Sequence, residues 1–135
     1  MLLMGILALL FVPFDFFSSF NTEAATAKVA GDIRFARELS SSTNVNCGVQ
    51  FVADGSYTVY QSTPATPATN PHTREPYVVD LGDVFENVDI LNSIQVEFDP
   101  MGRPVMGGGG IIEIGNPELI LQLYIIPETG LVQHL

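Results

Sequence analysis

Three groupings of residues in this chain have types and spacings that could do chemistry. Gly107 to Gly110 could cradle a phosphate, and Asp80, Asp83, Glu86 and Asp89 recur every third residue like oxygen ligands for Ca²⁺. Cys47, His72 and His134 are the candidate nucleophile and bases. A phosphate cradle needs a helix N-terminus after the glycines and usually a Lys or Ser/Thr. Here the sequel, Ile111 to Ile114, reads as a strand, and no Lys follows. A Ca²⁺ loop needs convergent ligands and sharp Gly turns. Leu81, Val84, Phe85 and Val88 interleave with the acids, which makes the acids the wet face of a short element. The two histidines have no HxxxH or HExxH spacing, and no Ser or Cys has a base nearby in sequence. Catalysis, a cofactor and a bound metal are therefore not expected.

Cys47 is the only cysteine, which excludes an intrachain disulfide and a thiolate cluster. Followed by Gly48 and Val49 at the start of an apolar alternation, it reads as a small core residue. Fifteen acids against five basic residues give a net charge of −10. Phosphate backbones and anionic headgroups repel such a chain, which argues against nucleic acid as a partner. At 135 residues the chain holds one modest core.

Two compositions divide it. Residues 1–43 read as apolar and then amphipathic helix; residues 44–135 read as a β-rich domain. Ala25, Val29, Ile33, Ala36 and Leu39 recur at helical spacing as one narrow, Ala-rich stripe suited to lying across a sheet. Glu23, Arg34, Arg37 and Glu38 take the opposite arc, and Lys28 can pair weakly with Asp32 at the margin, for about 0.3 kcal/mol. Ser40 to Asn46 ends the helix with residues that compete for backbone hydrogen bonds.

From Val49 the period changes to two, with Asp54-Gly55 as a hairpin turn before Tyr57 and Val59. Residues 61–76, rich in Pro and Thr, read as an exposed mobile loop, long for a compact domain; a contact surface or a glycan-bearing loop are its other readings. Tyr77 to Asp80, Ile94 to Phe98 and Leu119 to Ile126 read as strands. Asp99, Pro100, Met101 and Gly102 form a tight turn with Pro in second place.

Met1 to Phe14 carries no charge. As a helix it covers about 21 Å, short of the roughly 30 Å of a bilayer core. Three readings follow. Ala25-Thr26-Ala27 has the small-x-small pattern of a signal-peptidase site, although no Lys or Arg precedes the apolar run. A buried soluble helix would need cover on every face, which so small a remainder hardly supplies. The third reading places the true start upstream and makes the run the end of a transmembrane helix.

Gly5 to Pro13 resembles the N-terminal helix of type IV pilins and pseudopilins, in which a Gly is followed eight positions later by a Pro that bends the helix. On that alignment the mature protein would begin nine residues before Met1. The family's processing signal, Gly followed by Phe-Thr-Leu-x-Glu, is not in this chain. Ala27 to Leu39 is similar to the minor pseudopilins called type H, as are the Phe98-Asp99-Pro100-x-Gly102 turn and the closing Thr129-Gly130-x-Val132.

The resemblance implies an α+β, pilin-like fold: a long, Pro-bent N-terminal helix packed on an antiparallel sheet. It implies a single-pass subunit of the bacterial inner membrane, with its globular domain in the periplasm or on a filament surface. Leu2, Leu3, Gly5, Ile6, Leu7, Leu9, Leu10, Val12 and Pro13 would form the membrane and assembly helix. Partners would be other pilin-like subunits and the secretion or pilus assembly machinery. The alternative is an exported soluble binding protein released by a cut near Ala27. A DNA-uptake pilin is opposed by the acidic balance.

Overall fold

The computed structural model describes residues 14–135, with side chains in the first helix from residue 20 onward. The apolar run from Leu2 to Val12 and the bend at Pro13 lie outside the described residues. Helix α1 (Phe14–Thr43) is followed by strands β1 (Cys47–Phe51), β2 (Ser56–Gln61) and β3 (Val78–Asp80), then the short helix α2 (Leu81–Val84). Strands β4 (Asp89–Ile90), β5 (Ile94–Phe98), β6 (Pro104–Met106), β7 (Ile111–Gly115), β8 (Ile120–Ile125) and β9 (Val132–His134) complete the order.

α1 ends where its sequence changes to hydroxyl residues. Ser40 Oγ donates to the Arg37 carbonyl at 2.6 Å and Thr43 Oγ1 to that of Leu39 at 2.7 Å. Asn44 then takes a left-handed φ of 59°, its N–H bonded to the Ser40 carbonyl at 3.1 Å. Asn tolerates this conformation, which closes the helix by satisfying a free carbonyl.

The mixed α+β class is as expected, but α1 packs on two antiparallel sheets, not one. The first has the order β3-β2-β1-β5-β6 and the second β4-β7-β8-β9. α1 touches β1, β2 and β5 of the first and β7, β8 and β9 of the second. The chain enters the second sheet first at β4, returns to the first for β5 and β6, and crosses again at the glycine run. Gly110 N–H bonds back to the Gly107 carbonyl at 2.9 Å, and Gly109 N–H to the Ile125 carbonyl at 2.8 Å. The chain thus leaves β6, turns, and joins the strand partners of β8. Alternating hydrophobicity reports which face of a strand is buried, not which strands pair.

Inward residues of both sheets meet the helix in one core. Val49, Phe51, Tyr57, Val59, Val96 and Phe98 come from the first sheet; Ile112, Ile114, Leu123 and Ile125 come from the second. Each Leu-sized side chain so buried contributes about 1.5–3 kcal/mol. The hairpin turn forms at Asp54 (φ 57°), with Gly55 N–H bonded to the Val52 carbonyl. Cys47 is fully buried at the start of β1, and burial is the main cause that pushes its thiol pKa up. A protonated thiol is a poor nucleophile, consistent with a core role.

The 61–76 segment is exposed but tied down. Val59 N–H bonds the Tyr77 carbonyl, Tyr77 N–H the Ala68 carbonyl, and Ala68 N–H the Val59 carbonyl, at 2.8–2.9 Å. This ring of bonds holds Ala68 in the core beside β2, so the loop returns along the sheet as a strap. Proline count conveyed its irregularity, not these long-range bonds.

Gly48 marks a crossing on the sheet's outer face. It lies opposite Tyr60 on β2 and Glu97 on β5. Tyr60 reaches over it to donate to Glu97 Oε1 at 2.7 Å and to accept from Gln95 Nε2 at 2.8 Å. A Cβ on residue 48 would sit 2.2 Å from the Val96 carbonyl oxygen and 2.8 Å from the Tyr60 hydroxyl. We therefore expect Gly48→Ala to cost about 3 kcal/mol or more, through backbone displacement. Gly31→Ala, in a helix with nothing within 4 Å of the new Cβ, should instead gain about 0.5–1 kcal/mol. Urea midpoints of the two variants check the contrast; equal effects would contradict it.

Candidate functional site: the buried face of the long helix

The expected stripe is the face that docks. Ala25, Val29, Ile33 and Ala36 are fully buried, and Leu39 packs at the edge of the same cluster. Small residues dominate, so the helix backbone lies close over both sheets. The turn residues join this site at its C-terminal end. Gly102 adopts a φ of 83°, open to glycine with little strain, and its N–H bonds the Asp99 carbonyl at 2.8 Å. Asp99 Oδ1 accepts from the Met101 and Arg103 amides, and Pro100 occupies the second place of the turn. The turn's outward carbonyls hold the helix: Arg37 Nε donates to Gly102 O at 2.9 Å, and the Ser40 hydroxyl, its one proton shared with the Arg37 carbonyl, reaches Asp99 O at 3.0 Å. Two sets of residues 59 to 65 positions apart in sequence thus form one seam.

Sequence reasoning missed the polar centre of that seam. Asp32 is no marginal surface residue: it is 6% exposed, and both carboxylate oxygens accept phenol hydrogens. Tyr57 donates to Oδ2 and Tyr77 to Oδ1. Lys28 Nζ lies 3.4 Å from Oδ2, so the expected ion pair forms, with Lys28 on the solvent side. Tyr57 comes from β2; Tyr77 lies just before β3, where the Pro/Thr strap ends. Phe35 of α1 stacks against Tyr77 with ring centroids 5.4 Å apart, and Phe51 against Tyr57 at 5.2 Å. The available signal was a charge inside the apolar stripe, one residue before Ile33 and three after Val29.

Burial is the chief cause that raises the pKa of both phenols, with Asp32 adding to it by its charge and its hydrogen bonds. Tyr60 is raised as well, again chiefly by burial. The Asp32 oxygens are enclosed by phenols and a lysine, and the phenols are buried. The arrangement holds a helix to a sheet, with Lys28 as its one partly exposed member.

Of the other chemical candidates, Asp80 and Asp89 come near each other, their carboxylates 3.3 and 3.8 Å from the Cβ position of Gly82. Asp80 caps α2, its Oδ1 accepting from Gly82 N–H at 3.0 Å. Asp89 lines a groove of about 500 Å³ with Asp54, Asn87, Asn116 and Glu118. Among the described residues no group of three or more His, Cys, Asp or Glu is placed to hold a metal ion. His72 lies exposed in the strap and His134 exposed on β9. A strand, not a helix, follows Gly107 to Gly110. Among the described residues no helix is long and apolar enough to cross a membrane. No family model, curated protein or solved structure matches this chain.

Two outcomes are expected. Asp32→Ala strands two buried hydroxyls and should cost about 2–4 kcal/mol in urea unfolding. Lys28→Met, which removes the partly exposed partner, should cost less than about 1 kcal/mol. Equal losses would assign the clamp to the ion pair instead. The second outcome concerns pH. Free phenols ionise near pH 10, while folding holds Tyr57, Tyr60 and Tyr77 protonated beyond it. Above that pH the folded chain binds more protons than the unfolded one. The phenols' contribution is thus full below about pH 10 and lost as pH rises past it. The absorbance of three of the chain's four phenolates should lag, then rise together with loss of far-UV circular dichroism; ionisation of all four near pH 10 without unfolding would contradict the clamp.

Proposed function

We propose that this chain is a pilin-like subunit, a minor pseudopilin or minor pilin of a bacterial type II secretion or type IV pilus assembly. The supporting observation is the placement of the helix on the sheets. α1 is described from Phe14, the last residue of the uncharged run, and continues unbroken to Thr43. Among its described side chains burial starts at Thr22, and Phe20 is 63% exposed. The sheets grip the helix through its later turns and leave Phe20 uncovered. A domain built this way can hang from an apolar N-terminal segment without giving up its own core.

The mechanism is physical. Residues from Leu2 to Pro13 store the subunit in the inner membrane, then leave lipid to pack against equivalent helices of neighbours. Lipid already satisfies an apolar side chain, so close packing and shape, not dehydration, must favour the exchange. The sheets and their loops select partners. The signal-peptide reading fits the fold less well. Ala25 and Thr26 are buried in the middle of α1, and a cut after Ala27 would remove them and Thr22 from beneath the sheets.

The test is membrane retention of the chain expressed from its own reading frame, upstream codons included. The wild type should stay with membranes after an alkaline wash. Leu7→Asp places a charge in the apolar run and should move the protein to the aqueous fraction, with an unchanged circular dichroism spectrum. Equal membrane fractions for the two, or a mature mass lacking the first 27 residues, would reject the reading.

A further inference from the structure

Where the last turns of α1 meet the Asp99–Gly102 turn, a cavity of about 360 Å³ opens, lined by Arg37, Glu38, Ser41, Ser42, Met101 and Gly102. The cation in this lining is held in place. Arg37 Nε donates to the Gly102 carbonyl at 2.9 Å. Its guanidinium lies against two glycines of left-handed conformation, Gly102 (φ 83°) and Gly130 (φ 74°). A Cβ on residue 102 would stand 3.1 Å from Nε and 3.2 Å from Nη2, and one on residue 130 would stand 3.3 Å from Nε. The two turns thus form a bed that only a residue without a side chain leaves open.

Both Nη groups remain unspent. Acids outnumber bases fifteen to five, and Lys28 and Arg103 have acid partners in Asp32 and Asp99. Arg37 has none among the described residues. Arg34 and Arg74 are exposed, whereas Arg37 is half-buried. No buried side-chain nitrogen among the described residues lacks a hydrogen-bond partner, so the Nη groups open to solvent. Two Nη groups of a fixed planar fork match the two oxygens of a carboxylate. The rest of the lining has the opposite character. Ser41 and Ser42 spend their hydroxyl hydrogens on the Arg37 and Leu39 carbonyls, at 3.5 and 3.1 Å. Their oxygens are left as acceptors, and Glu38 adds a carboxylate. These groups and the negative end of the helix dipole oppose a multiply charged anion such as phosphate. They suit an N–H donor.

We infer that this pocket binds an α-carboxylate whose own α-carbon carries an N–H, as at the C-terminal end of a peptide or in a free amino acid. Arg37 Nη1 and Nη2 hold the carboxylate, Glu38 and the two serine oxygens accept the N–H, and the Met101 side chain, 74% exposed, gives the ligand's side chain an apolar surface. The carboxylate sets the ligand's charge, and the nearby acceptors set its orientation. The site lies wholly within the described residues and does not depend on the apolar run.

Fluorescence anisotropy of a short peptide, labelled at its N-terminus and ending in Ala-Leu, tests this with the full-length chain expressed as above. The free-acid peptide should bind roughly tenfold tighter than the same peptide closed by a C-terminal amide. Arg37→Gln should weaken binding of the free acid by roughly the same factor. That variant also loses the bond to the Gly102 carbonyl, so Ser41→Glu is its companion. Residue 41 is exposed, the substitution leaves the Arg37 bond in place, and the new carboxylate four residues on occupies the guanidinium instead of the ligand. It should abolish the preference for acid over amide with an unchanged circular dichroism spectrum. Displacement of the peptide by leucine and by N-acetyl-leucine supports the inference with a small ligand as the source; failure of both to displace it supports a chain end. No binding, equal affinity for acid and amide, an unaltered preference in Ser41→Glu, or displacement by inorganic phosphate as effective as by N-acetyl-leucine would overturn it. Any of these leaves membrane storage standing, and an aqueous chain that still prefers the free acid sinks only the latter.

Discussion

A carboxylate placed under a helix must have its lone pairs satisfied, or the helix cannot close on the sheet. Asp32 meets that demand with Tyr57 on one oxygen and Tyr77 on the other, and Lys28 completes the shell from the solvent side. The constraint spreads outward. Tyr57 must face inward from β2, which sets that strand's register against β1. Tyr77 must arrive just before β3, which requires the 61–76 strap to return along the sheet and seat Ala68. Apolar packing alone would let an Ala-rich stripe slide along or rotate over two sheets. Directional bonds from two tyrosines specify one position.

The helix in turn unites the sheets. The first ends at β6 and the second joins the earlier β4 to β7, β8 and β9, and α1 contacts both. Its narrow stripe suits this position, because Ala25, Ala30 and Ala36 leave room for branched side chains arriving from two directions. At its far end the Asp99–Gly102 turn supplies carbonyls to Arg37 and Ser40, so the helix is held at its middle by phenols and at its end by backbone.

Much of this was legible in the sequence because it follows from local rules. The stripe, the hydroxyl-rich stop before Asn44, the Asp54 hairpin, the Asp99-Pro100 turn and the strand character after Gly107 to Gly110 each depend on a few neighbouring residues. Strand pairing, by contrast, depends on partners far away, so the two sheets were read as one. Asp32 was misplaced for the same reason. An Asp four residues after a Lys is the common pattern of a solvated pair, and only the tyrosines 25 and 45 positions later make it interior. The strap was underestimated because Pro and Thr mark irregular backbone without revealing its bonds.

The line of the helix across both sheets also decides how the domain answers a mechanical load. A pull on the N-terminal end of α1, along its axis, drags the whole stripe sideways over the sheets. It does not peel the contacts apart one at a time. The phenol bonds to Asp32, the Arg37 and Ser40 bonds to the turn, and the buried alanines and branched side chains then resist together. Loaded from that end, the domain keeps its fold until these contacts give way together.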